Sequence, residues 1–152
     1  MNDPTWFGKR YVRFSALEEL ASTLGVEIVY ADIPFGLYFH NVMGIQIIEL
    51  PISQGALEKI WSLAHELGHA IQHSGPKGPL SYGKEEAQAN RWAASALIPN
   101  ERILSYLNAC EDSMVAALSA HYEDLPMEDC PARRLAGRIA QIRLQTLSTE
   151  VA

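Results

Sequence analysis

The chain has 152 residues, 48% of them hydrophobic and 20% charged, with a formal net charge of −6. That is enough for one hydrophobic core, and it argues against a general nucleic-acid surface, which would need clustered Lys and Arg. Met1 to Gly8 hold no basic start leading into an apolar run, and no stretch approaches the roughly eighteen apolar residues of a membrane span, so a single cytosolic domain over residues 1–152 is expected.

Lys9 to Leu24 reads as the first helix, because Tyr11, Phe14, Leu17, Leu20, Ala21 and Leu24 recur at three- and four-residue spacing before Gly25. Leu17 to Val26 faintly resembles the opening of a helix-turn-helix. The next residues, Glu27-Ile28-Val29-Tyr30-Ala31, are β-branched and alternate, so the glycine leads into a strand instead. Two more strands are expected at Gly36 to His40 and Gly44 to Leu50, the latter closed by Pro51. The connection between them is too short for a crossover, which predicts an antiparallel three-stranded sheet. His40 and Asn41 read as an exposed hairpin end. The alternative is a sheet edge beside a cleft, accepting an extended substrate as an added strand.

The next helix, from about Gln54 to His73, carries His65-Glu66-Leu67-Gly68-His69, an HExxH motif. Leu57, Ile60, Leu63, Ala64, Leu67 and Ile71 form its apolar stripe. Residues four apart share a helix face, so His65 and His69 can offer both imidazoles to one metal ion, while Glu66 reaches the water beside it. A catalytic zinc usually takes three protein ligands and leaves a fourth position open. A metzincin would have a histidine ten residues after the first, where this chain has Gly75. His73 continues the row from His69, but it lies about 12 Å from His65 along a straight helix. It reads as a residue at the mouth of the site or an ordinary exposed histidine.

Ser74 to Pro79 forms a loop. Beyond it, Tyr82 is either packed or a hydrogen-bond donor to a substrate carbonyl. The helix from Gly83 supplies the third ligand. Glu85 competes for that role, but Glu86 shares a face with Asn90, a short polar residue suited to accept a hydrogen bond from a ligand histidine and fix its tautomer. Pro99 ends this helix, and Asn100 is placed to cap the next. Three helical stretches follow at Ile103 to Ala109, Met114 to Tyr122 and Ala132 to Leu147. Arg133, Arg134, Arg138 and Arg143 read as a solvated basic flank of the last. Cys110 and Cys130 lie in no CxxC or near-histidine arrangement and read as free thiols. The expected fold is a mostly helical, zincin-like α+β domain. Its small antiparallel sheet packs on the HExxH helix, with a core over residues 9–99 and C-terminal helices over 100–149.

Ile60 to His73, followed by Glu86-Ala87-Gln88-Ala89-Asn90-Arg91-Trp92-Ala93-Ala94 and the Ala96-Leu97-Ile98-Pro99 ending, resembles the ImmA/IrrE family of metallopeptidase domains. Gln88 stands where that pattern usually has a second acid, and Trp92 where it has phenylalanine. The resemblance implies one Zn2+ ion held by His65, His69 and Glu86, with Glu66 as catalytic base. It also implies a protein substrate, a helix-turn-helix repressor of a phage or mobile element, cleaved to relieve repression. Direct nucleic-acid binding is not expected. A non-proteolytic anti-repressor, masking its target through the same scaffold, is the alternative. The oxyanion donor stays open among Tyr82, His73, His121 and Tyr122.

Overall fold

The computed structural model describes residues 14–73, 82–109, 112–113 and 129–150. Five helices and three strands follow in the order α1 (Phe14–Thr23), β1 (Val26–Ala31), β2 (Leu37–His40), β3 (Gln46–Pro51), α2 (Ala56–His73), α3 (Tyr82–Leu97), α4 (Asn100–Ala109) and α5 (Pro131–Glu150) among the described residues. The α+β, mostly helical class expected from the sequence is the one observed. Residues 9–13 of the predicted first helix, Cys110 and the Met114–Tyr122 stretch lie outside the described residues.

Two compact units divide the chain inside α3, between Ala93 and Ala94. In the first, α1 buries Phe14, Leu17 and Ala21, the positions its spacing marked. Gly25, at φ 73°, then turns the chain into β1. Only glycine enters that left-handed region without a Cβ penalty, which is why the helix stops there and a strand begins.

The sheet order is β1-β3-β2. β2 and β3 are antiparallel, as the short connection requires. β1 and β3 are parallel, which corrects the all-antiparallel expectation. The length argument constrains only strands that follow one another directly. Here β2 passes to the far side, and β3 returns between it and β1, so two reversals leave β3 running with β1 and no helical crossover is needed. Asn41 builds the β2–β3 turn: its Oδ1 accepts from the amides of Met43 and Ile45 at 2.9 and 3.0 Å. Gly44, at φ 80°, completes it. The turn reading of this position is therefore the observed one.

Strand pleat sends Val26, Ile48 and Leu50 to the face covered by helices, where all three are buried. α2 covers this face with Leu57, Ile60, Leu63, Ala64 and Leu67, and its stripe ends on Ala70 rather than on the half-buried Ile71.

The second unit holds α4 and α5. Arg134 and Arg138 are exposed on α5, but Arg143 is fully buried, which corrects the reading of all four arginines as a solvated flank. Position 143 falls one turn after Ile139 and one before Leu147, on the buried stripe. Its Nε donates to the Ile98 carbonyl at 2.6 Å, and Nη2 donates to Asn100 Oδ1. The guanidinium thus ties the carbonyl just past α3 to the first residue of α4.

No described helix is long and apolar enough to cross a membrane.

Candidate metal centre

One turn of α2 separates His65 from His69, so their rings stand side by side with centroids 4.9 Å apart. From α3, the Glu86 carboxylate lies between them. Its Oε2 is 2.8 Å from His65 Nε2 and its Oε1 is 3.0 Å from His69 Nε2. Asn90, one turn after Glu86, places Oδ1 2.7 Å from His65 Nδ1. Asn90 Oδ1 can accept only from Nδ1–H, which holds the ring by that edge and leaves Nε2 facing Glu86. The choice between the adjacent acids goes to Glu86; Glu85 uses its backbone carbonyl, which accepts from Gln72 Nε2 at 3.2 Å.

One ligand atom from each of His65, Glu66 and His69 lies within 4.8 Å of the others. Glu86 sits at hydrogen-bond distance from both rings, and Glu66 stands within reach of a water molecule beside the two histidines. Trp61, one turn before His65, holds its ring centroid 6.3 Å from that imidazole. The side chains of His73 and Tyr82 lie outside the described residues, as do the Ser74–Pro79 loop, His121 and Tyr122.

Two glycines shape this site, and the sequence reading passed over both. A Cβ at Gly68 would fall 2.9 Å from both the Cα and the carbonyl oxygen of Ala89, so the bare backbone of α2 is what lets α3 come close enough to deliver Glu86. The sequence carried a signal here, since a glycine inside a helix costs about 1 kcal/mol relative to alanine and needs a packing reason. At Gly36, just before β2, a Cβ would come within 3.3 Å of Glu66 Cγ. The start of the edge strand therefore lies directly against the proposed base.

A model of the IrrE N-terminal-like domain, from a peptidase family, matches residues 21–123, more than half of the chain. The chain belongs to this family. The match takes in all of His65, Glu66, His69, Glu86 and Asn90, and it bears out the resemblance read from the sequence. No curated protein and no solved structure matches.

A divalent cation suits the donor set of this IrrE N-terminal-like domain. Two imidazole nitrogens and a carboxylate form a zinc-type set, and ligands 2.0–2.1 Å from a tetrahedral ion lie about 3.3 Å apart. The observed 2.8 and 3.0 Å separations need to open by only a few tenths of an ångström. His69 is pushed below its ordinary value by burial and then by its neighbour His65, with Glu86 pulling the other way. The net effect favours the neutral ring, the form that binds metal. Removing the Asn90 carbonyl should lower zinc affinity by about 10–100-fold with every ligand still in place. Competition with a chromophoric chelator on Asn90→Ala measures this, and unchanged affinity would remove Asn90 from the orienting role.

Glu66 is 6% exposed, and its Oε2 has no hydrogen-bond partner among the described residues. Burial, and then the nearby Glu86 charge, raise its pKa from 4.5 to about 7. Between those two values the folded state holds the proton more tightly than the unfolded one. Stability from this group is therefore fully present below pH 4.5, declines through the window, and is gone above about 7. In chelator-treated protein the decline should amount to roughly 3 kcal/mol. Denaturant unfolding across that range measures it, and Glu66→Gln should flatten the profile.

Proposed function

We propose that this IrrE N-terminal-like domain is a zinc-dependent, site-specific endopeptidase of the cytosol that cleaves a helix-turn-helix repressor of a phage or mobile element, relieving repression. The observation that carries this reading is the convergence of His65 Nε2, His69 Nε2 and the Glu86 carboxylate, with the buried Glu66 beside them, its Oε2 without a partner among the described residues.

His65, His69 and Glu86 would hold the ion, which when bound supplies Lewis acidity toward the scissile carbonyl and its attacking water. Glu66 takes a proton from that water and passes it to the departing amine nitrogen. Its burial matches the task, because a base poised near neutrality can both accept and return a proton. Asn90 keeps the His65 ring in one tautomer and one orientation. Support for an extended peptide substrate comes from β2, an edge strand of the sheet that begins just after Gly36, which lies against Glu66.

Incubating zinc-loaded protein with a purified helix-turn-helix repressor and recording intact masses tests the reading. The expected result is two fragments whose masses sum to the repressor plus one water, abolished by a chelator. A repressor that loses DNA binding while its mass stays whole would replace cleavage with masking.

A further inference from the structure

The sheet face turned away from α2 has a composition that the metal site does not explain. Registered pairs share a face, so two rows cross the outer surface in the order β1, β3, β2: Glu27, Ile47, Phe39 and then Val29, Glu49, Leu37. Each row sets one carboxylate among two apolar side chains. Val29, Leu37 and Phe39 are 42%, 42% and 37% exposed, unusual for large apolar residues on strands. Charge along the chain is also segregated. Residues 14–58 contain six Asp or Glu and neither Lys nor Arg, so this stretch alone carries a charge of −6, equal to that of the whole chain.

We propose that this outer sheet face is a docking surface for a basic amphipathic segment of a partner protein. Lys and Arg fit such a surface in both their parts. Their aliphatic stems can lie over Val29, Leu37 and Phe39 while their charged ends reach Glu27 and Glu49. A purely apolar partner would leave both carboxylates desolvated and unpaired. A second copy of the chain laid face to face would set glutamate rows against glutamate rows, with no lysine or arginine on the strands to offset them. The face thus selects by charge while its apolar area supplies the adhesion. Under the proposed function it gives a DNA-binding substrate, which carries basic surface for phosphates, a foothold apart from the cleft. That role rests on the peptidase reading; the binding itself does not.

The test uses metal-free and zinc-loaded protein, titrated with a synthetic amphipathic Lys/Leu peptide and with its Glu/Leu counterpart while backbone amide shifts are followed. The Lys/Leu peptide should perturb Val29, Leu37, Phe39 and Ile47 saturably in both forms, with affinity falling as salt is added. The Glu/Leu peptide should perturb none of them. Glu27→Lys with Glu49→Lys should weaken binding by about tenfold or more. If that variant fails to take up zinc, Glu27→Gln with Glu49→Gln carries the same comparison. Shifts mapping elsewhere, or equal affinity in the charge variants, would overturn the proposal. So would sedimentation showing a dimer that Phe39→Lys dissolves, since a second copy would then own the face. Failure here leaves cleavage of short peptides as it was, and loss of hydrolysis in Glu66→Gln leaves the binding measurement intact, so the two readings fail separately.

Discussion

Glu66→Gln is expected to lower peptide hydrolysis by about 10²–10⁴-fold while the protein still takes up one equivalent of zinc. The two properties separate because the atoms at hydrogen-bond distance from the imidazoles belong to Glu86. Glu66 lies beside them, with its Oε2 buried and without a hydrogen-bond partner among the described residues. Glutamine keeps the shape and removes the capacity to accept a proton, so the ion would be held as before beside a group that can no longer act as base. His65→Ala and Glu86→Ala should do the opposite and lose the metal, because each removes one of three converging donors. Zinc content by elemental analysis, set beside initial rates on a cleaved repressor or peptide, distinguishes the cases. A Glu66→Gln protein that cleaves at the wild-type rate would remove Glu66 from the chemistry.

Gly68→Ala should fail in a different way, losing stability and metal together. A methyl group there meets the Cα and the carbonyl oxygen of Ala89 at 2.9 Å, and neither atom can rotate aside. The helices must part, at about 1–3 kcal/mol for an overpacked contact. Because Glu86 rides on α3, parting the helices also carries its carboxylate off the two imidazoles. Zinc affinity should fall by about tenfold or more, since ligands in such a site tolerate displacements of only a fraction of an ångström. Ala89→Gly should not rescue the variant, because glycine keeps both clashing atoms. Gly83→Ala is the matched control: nothing lies within 4 Å of its Cβ position. It should be neutral or stabilising by about 0.5–1 kcal/mol, as expected for alanine in place of a helical glycine. Thermal melts and chelator competition should show losses in Gly68→Ala and none in Gly83→Ala. A Gly68→Ala protein with native stability and native zinc affinity would mean that the close approach of α2 and α3 is not what builds the site.

Much of the candidate site was legible because it is local. A spacing of four from His65 to His69 puts two imidazoles on one face of any regular helix, and the same spacing from Glu86 to Asn90 does so for a carboxylate and its companion amide. The Asn41 turn was legible for a similar reason, since an asparagine side chain bonds to backbone amides only a few residues away. Arg143 was legible in principle, because its spacing from Ile139 and Leu147 marks the buried stripe. Its charge hid the pattern.

By itself, then, the sequence determined the described helices, most of the positions they bury, the motif face of α2 and the family to which the chain belongs. These depend on periodicity over a turn or two. Tertiary structure alone decided that β3 lies between β1 and β2 and that the Glu86 carboxylate stands within 3.0 Å of both imidazoles. It also decided that Gly68 and Gly36 are gaps filled by Ala89 and Glu66, and that Glu66 is buried enough to hold its proton to about pH 7. Each of these depends on segments distant in sequence coming within a few ångströms, and no spacing within one segment records which partner will arrive or how close its backbone can come.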